Sequence, residues 1–271
     1  MSLDQRDCIL PDWPAPPSVR SLITTRAGGI SQGCHASLNL GKSVGDDPVA
    51  VEENRRRVVN LIGATPRWMS QVHGIEVANL DKIRPDAAIS ADAAVSRRRR
   101  SVCTVMMADC LSLLLCDRDG TTVAAAHAGW RGLAAGVLEA AIASMHVPPE
   151  NLLAYMGPAI GAEAFEVGAE VRQRFLAAAR PAEQLPVSAA FVPKADAGDA
   201  NKPSDDAVRT KWHANIYALA ETRLLRAGLR PSAVYGGGLC TFSDSERFFS
   251  HRRGIHQGQS SGRMAAMIWL D

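Results

Sequence analysis

The run Val102-Cys103-Thr104-Val105-Met106-Met107-Ala108-Asp109-Cys110-Leu111-Ser112-Leu113-Leu114-Leu115-Cys116 decides how this chain is read. It is the longest apolar stretch, yet it carries Asp109 and falls short of the ~18–20 residues that a membrane-spanning helix needs. It reads instead as two buried strands interrupted at Ala108-Asp109-Cys110. Downstream, the pattern predicts a strand over 121–127, an alanine-rich helix over 129–146 and a strand over 152–156. Upstream, it predicts a short strand over 21–25, a glycine turn at Gly28-Gly29 and a helix over 48–62. Pro48 sits in the first turn of that helix, Asp46 or Asp47 caps it, and Val51, Val58, Leu61 and Ile62 form one stripe. Toward the C-terminus come a helix over 169–179, a polar loop over 194–208, a helix over 217–227 stopped by Gly228, and a closing strand over 264–270. Helices and strands mix without a βαβ rhythm, so the expected class is α+β with mixed sheets. No repeat or linker divides the chain, and residues 1–271 are read as a single domain.

Composition bounds the function. The chain has 271 residues, 46% hydrophobic and 21% charged, the balance of a folded globular protein. Net charge is +2, so no global field favours nucleic acid or an anionic membrane. The basic residues are 25 arginines and 5 lysines. Guanidinium forks suit carboxylate and phosphate, so an anionic ligand is compatible with this bias. Met1-Ser2-Leu3-Asp4-Gln5-Arg6-Asp7 shows no secretory pattern, and the six cysteines include no CxxC pair. Reduced thiols in a cytoplasmic protein are expected, with any special cysteine metal-binding or reactive.

Three segments stand apart: Ser70-Gln71-Val72-His73-Gly74, Met107-Ala108-Asp109-Cys110-Leu111 and Ala126-His127-Ala128-Gly129-Trp130-Arg131-Gly132. Each sets a histidine or cysteine at the edge of an apolar strand. Two imidazoles and a thiolate form a zinc set with an open fourth position, the catalytic arrangement. The same residues admit a second chemistry, in which Cys110 is a nucleophile and His127 its general base. Gly129-Trp130-Arg131-Gly132 opens a helix, where free backbone N–H groups and Arg131 can clamp an anion; close packing with Arg131 solvated is the alternative.

Other candidates are weaker. Arg97 to Arg100 reads as a solvated hairpin tip rather than a nucleic-acid patch, because it lacks interleaved aromatics. Gly236-Gly237-Gly238 lacks any phosphate-loop pattern and reads as tight turning. Phe248-Phe249-Ser250-His251-Arg252-Arg253 either stacks on a ligand or packs its aromatics with the arginines exposed. His35, His146, His213 and His256 have no partner pattern and read as structural or surface residues.

Taken in order, a series of motifs resembles the YfiH-like proteins, also called multicopper polyphenol oxidoreductases or laccases. They include Thr24-Thr25-Arg26-Ala27-Gly28-Gly29, Ser37-Leu38-Asn39-Leu40-Gly41, Val44-Gly45-Asp46-Asp47, Glu53-Asn54-Arg55 and the three segments above. Gly157-Pro158-Ala159-Ile160-Gly161, Phe165-Glu166-Val167, Cys240-Thr241 and Phe248-Phe249-Ser250 complete the series, which runs through nearly the whole chain. The resemblance implies an α/β/β/α sandwich related to the catalytic domain of cytotoxic necrotizing factor toxins. It implies one zinc on His73, Cys110 and His127. It also implies purine nucleoside phosphorolysis, including that of methylthioadenosine, together with adenosine deamination. A peptidoglycan-editing amidohydrolase, which removes a misplaced serine from a UDP-muramyl precursor, is the alternative activity. The clustered histidines are too few for multicopper ligation, so copper is the lesser expectation.

The chain departs from the family pattern at His35, Ser112, Asn215, His251 and Ser261, and His251 and Asn215 put substrate preference in doubt. Arg131 is the first expectation for a phosphate clamp, with Arg55 and Asn39 as further substrate-binding candidates. Asp109 is set aside as proton donor, because adjacent side chains on a strand point to opposite faces. Expected partners are a nucleoside and phosphate, with no nucleic acid or membrane, in a monomer or weak dimer.

Overall fold

The computed structural model describes residues 3–194 and 211–271, so most of the polar stretch expected as a loop over 194–208 lies outside the described residues. The stretch 102–116 does form two strands, β6 (Val102–Met107) and β7 (Leu111–Asp117). They do not pair with each other. Residues 108–110 form a corner that passes the chain from one sheet to a second.

The first sheet has the order β1-β2-β14-β6-β3, with β1 at Cys8–Ile9, β2 at Val19–Thr24, β3 at Pro66–Arg67 and β14 at Met264–Leu270. All its pairings are antiparallel except β3 with β6. The second has the order β13-β9-β7-β8-β5-β4, with β4 at Val77–Asn79, β5 at Ala93–Ser96, β8 at Val123–Ala128, β9 at Leu152–Met156 and β13 at Val234–Gly236. Its outermost pairings at both edges are parallel and the inner ones antiparallel. A small third sheet joins β10 (Glu166–Val167), β12 (Trp212–Ala214) and β11 (Phe191–Pro193). The α+β class with mixed sheets is therefore observed.

Strand periodicity sorts the layers. Leu111, Leu113 and Leu115 of β7 and Ala124, Ala126 and Ala128 of β8 face a helical layer. That layer contains α2 (Trp130–Ala135), α3 (Val137–Met145), α4 (Ala169–Ala178), α5 (Gln184–Ala189) and α6 (Ile216–Arg226). Leu114, Cys116, Val123 and Ala125 face inward and meet Cys103, Val105, Met264, Ala266 and Ile268 of the first sheet. On that sheet's outer face, Leu22, Val102, Ala265 and Met267 pack against Val58 of α1 (Pro48–Ile62), with Leu61 and Ile62 part-buried beside them. Asp47 caps α1 by accepting from Val49 N at 3.0 Å.

Two expectations need correction. The helix predicted over 129–146 is two helices broken at Gly136, whose φ is +110°. That left-handed conformation is one glycine adopts freely, and a Cβ there would come within 3.3 Å of Arg223 Nη2 of α6. The arginine run is no hairpin tip either, because it connects β5 to β6 across the two sheets. Arg97 donates to the Met145 carbonyl at the end of α3, and Arg100 donates to Gly63 O just past α1, so two of the four cap helix C-termini.

Candidate metal centre

His73 stands on the loop leading toward β4, with φ +60°. A non-glycine residue in that region needs outside support. The support is Asp92, a fully buried carboxylate one residue before β5. Its oxygens accept the backbone N–H groups of Val72 at 3.1 Å, His73 at 2.9 Å and Gly74 at 2.7 Å. Gln71 docks the other end of the loop onto β6 by pairing with both backbone groups of Met106.

His127 lies on β8 in register with Val123 and Ala125, so it shares their inward face. Its Nδ1 donates to Asp92 Oδ1 at 2.9 Å, and its backbone N–H donates to Asp92 O at 2.7 Å. An ionised carboxylate only accepts, so the proton resides on Nδ1 and Nε2 is left to face the other ligands. Burial opposes ionisation of Asp92, but hydrogen bonds from His127, Gly74 and Val72 outweigh it and hold its pKa below the usual carboxylate value.

Cys110 leaves the 108–110 corner, where Asp109 has φ +83°. Asp109 accepts from Thr241 Oγ1 at 2.6 Å, Ser250 Oγ at 3.0 Å and Arg252 N at 2.6 Å. Asp109 and Cys110 lie in the corner rather than on a strand, and three hydrogen bonds tie the Asp109 carboxylate to the segments carrying Thr241 and Arg252. Cys110 Sγ lies 3.9 Å from His73 Nε2, and the ligand atoms of His73, Cys110 and His127 all fall within 4.8 Å of one another. The two imidazole rings meet edge to face at 4.9 Å.

This donor set fits a metal ion. Ligands about 2.0–2.3 Å from a zinc ion stand at separations of this order, and soft sulfur with borderline nitrogen suits zinc or copper(I). Gly129 completes the fit. A Cβ there would lie 2.9 Å from His73 Cδ2 and 3.0 Å from Cys110 Sγ, so only glycine clears both ligands. Burial raises the Cys110 pKa, but the charge and hydrogen bonds of His127 and His73 overcome this and hold the thiol at about 6. Burial likewise opposes the His127 imidazolium, yet without a metal Cys110 and Asp92 raise its pKa to about 9, so an ion bound at Nε2 would displace a proton there.

The three candidate ligands open onto a cavity of about 670 Å³. Arg55, Trp68, Ile89, Met106, His251 and Arg263 line it. Arg55 is buried, donates twice to Leu40 O and stacks 4.1 Å from the Trp68 ring. Arg263 donates to Ser261 O and Gly262 O. Burial lowers both guanidinium pKa values, that of Arg55 to about 10. Neither has a carboxylate within ion-pair distance among the described residues.

Residues 20–271 match the family described as multi-copper polyphenol oxidoreductase laccase. The chain belongs to this family of YfiH-like proteins. "Purine nucleoside phosphorylase PA4543" of Pseudomonas aeruginosa is 50% identical over 262 residues, covering 97% of this chain and 98% of that protein. "Purine nucleoside phosphorylase YfiH" of Escherichia coli is 46% identical over 264 residues, covering 97% and 98%. The crystal structure of Neisseria meningitidis protein NMB0706 superposes with a TM-score of 0.84 at 44% identity, over 98% of this chain and 99% of that one.

The YfiH-like motifs now acquire physical reasons. Gly132 carries no Cβ because one would lie 2.8 Å from Gly74 O, so this glycine and Gly129 let the His73 loop pack against α2. Arg131 is not brought to the cavity. It is exposed, and its guanidinium lies 4.4 Å from its neighbour's ring, that of Trp130. Asn39 is fully buried outside the cavity lining, where it donates to Gly41 O and Asp46 and accepts from Gly41 N and Arg263 N. It builds the cavity wall from behind. Asn215 caps α6 by accepting from Ala218 N at 3.1 Å, as an aspartate can. His35 is buried and donates through Nε2 to Val44 O. Phe248 and Phe249 are core, and Arg252 and Arg253 donate to backbone carbonyls, so of that segment only His251 reaches the cavity. Sequence reading missed Asp92, although one charge among Ala91, Ala93 and Ala94 was a usable signal. His73, Cys110 and His127 are the one group of three converging His, Cys, Asp or Glu residues among the described residues that could hold a metal ion. No helix among them is long and apolar enough to cross a membrane.

Proposed function

We propose that this chain is a metal-dependent purine nucleoside phosphorylase, with zinc held by His73, Cys110 and His127. The observation that carries the reading is one cavity that holds both the three-ligand group and the two carboxylate-free guanidiniums of Arg55 and Arg263. Phosphorolysis needs a phosphate placed against C1′ of the ribose and a bay for the purine. Both guanidiniums remain protonated at neutral pH, and a phosphate relieves the cost of burying them unpaired. Trp68, Met106 and Ile89 offer apolar faces to a ring. Asp92 fixes the His127 tautomer and the His73 backbone together. Zinc, when bound, supplies Lewis acidity at the mouth of this bay. Adenosine, inosine, guanosine and methylthioadenosine are the substrates proposed, with hydrolytic deamination of adenosine as a further activity. We also read the protein as one domain, monomeric or weakly dimeric, and cytoplasmic; its six cysteines are free.

The test is to incubate zinc-loaded protein with adenosine, with and without phosphate. Adenine released only with phosphate supports the reading, and inosine reports deamination. No phosphate-dependent release overturns it, and turnover of only the serine-bearing UDP-muramyl precursor replaces it with the cell-wall reading.

One observation favours a second reading. Cys110, His127 and Asp92 stand in the order thiol, imidazole, acid, with the thiol pKa depressed and Asp92 orienting the imidazole. A Cys–His hydrolase works after chelation, whereas the metal enzyme does not.

A further inference from the structure

The cavity contains no carboxylate. Its polar lining is a short set of side chains, most of them already engaged. Gln71 is engaged by the Met106 backbone, Lys42 pairs with Glu52 at 3.0 Å, and His73 and His127 belong to the metal group. Arg55 and Arg263 serve the anion in the reading above. What remains is the exposed hydroxyls of Ser43 and Ser70, the indole N–H of Trp68, whose ring is already stacked against Arg55, and the exposed imidazole of His251.

His251 differs from the two serines in how it is held. It is the first residue of α7 (His251–His256), and Ser250 caps that helix by accepting from Arg253 N. The flanking residues are both tied to Asp109, which accepts from Ser250 Oγ and Arg252 N. Asp109 directly precedes Cys110. The residue beside a metal ligand thus clamps the chain on either side of His251, fixing its backbone relative to the centre. The His251 ring itself has no hydrogen-bond partner among the described residues.

Resting on the phosphorylase reading, we propose that His251 is a base-recognition residue whose imidazole N–H donates a hydrogen bond to N7 of the purine. N7 is an acceptor common to adenosine, inosine and guanosine, so one imidazole serves all three. In phosphorolysis a C1′–O bond forms to phosphate and the C1′–N9 bond breaks. The electron pair of that bond passes into the purine, and the proton of hydrogen phosphate ends on the base. A donor at N7 strengthens its bond as this charge arrives, so it contributes to the rate as well as to binding.

The test compares wild type, His251→Phe and His251→Gln for phosphorolysis of adenosine, with 7-deazaadenosine as a competitive inhibitor that lacks the N7 acceptor. For His251→Phe, kcat/KM for adenosine falls about 3- to 10-fold, the order of one lost hydrogen bond. Zinc stoichiometry and the KM for phosphate stay unchanged, 7-deazaadenosine binds as it does to wild type, and His251→Gln recovers part of the loss. Wild-type kcat/KM in His251→Phe overturns the proposal, as does an equal loss of affinity for adenosine and its deaza analogue. If wild type shows no phosphate-dependent cleavage, the phosphorylase reading falls and this proposal with it; if wild type is active and the variant is too, only the role of His251 falls.

Discussion

Asp92 Oδ1 lies 2.9 Å from Nδ1 of His127, while the same carboxylate receives three successive N–H groups from the loop that carries His73. One side chain outside the ligand set thereby positions two of the three ligands. Asp92→Asn replaces one acceptor oxygen with an N–H₂ group, which cannot receive all four donors. We expect zinc affinity to fall about 10–100-fold, the usual effect of losing such an outer partner. Competition with a chelating dye measures it, and an unchanged affinity would remove Asp92 from this role.

Gly129→Ala places a methyl group against both His73 and Cys110. Backbone shifts that relieve such overpacking cost about 1–3 kcal/mol. The expected result is a folded protein with lowered melting temperature and substoichiometric zinc. Full zinc content by elemental analysis would show that the ligands tolerate the intrusion.

Cys110 titrates from a pKa lowered to about 6, so in chelator-treated protein it is mostly thiolate at pH 7, and its reactivity falls as pH drops through that value. Cys8 and Cys116, pushed up to about 12 chiefly by burial, stay protonated. Mass-spectrometric mapping of iodoacetamide labelling should find Cys110 modified well before those two, and zinc should protect it. Labelling of Cys110 that ignores zinc would refute its assignment as a ligand.

Arg263→Gln should raise the KM for phosphate about 10-fold or more, the order of one charge-assisted hydrogen bond. Arg131→Ala should leave it within about two-fold, since Arg131 faces solvent. Steady-state phosphate titrations separate the two, and the opposite pattern would restore Arg131 as the clamp.

Asn215→Ala removes a helix cap and should cost about 1 kcal/mol of stability with kcat/KM unchanged, while Asn215→Asp restores the cap. Denaturant unfolding and kinetics on the same preparations check both halves.

The parts of this site legible in the sequence were those whose signal is local. Cys110 and His127 each sit at the end of an apolar strand, and the 108–110 interruption falls where it was expected. That β6 and β7 join different sheets was not legible, because a corner and a hairpin look alike in one dimension. Arg131 drew attention through proximity to His127 in sequence, yet α2 turns it outward, and the cavity's guanidiniums come from α1 and from the approach to β14. The break at Gly136 carried a local signal, the glycine itself, but the alanine-rich run on both sides of it reads as one continuous helix. Two- and three-residue strands such as β1, β3 and β10 are too short to carry an alternation signal.

Asn39 Oδ1 accepts from the backbone N–H of Arg263, and β14 lies between β2 and β6. The wall bearing Gly41 is therefore latched by a residue 224 positions further along the chain. All three candidate ligands lie in the first 127 residues, whereas Arg263, which lines the cavity, comes from the approach to β14. A fragment ending before Arg263 would carry the three candidate ligands but neither the latch on this wall nor one of the cavity's two guanidiniums, so the metal group and the anion bay are completed by parts of the chain far apart in order.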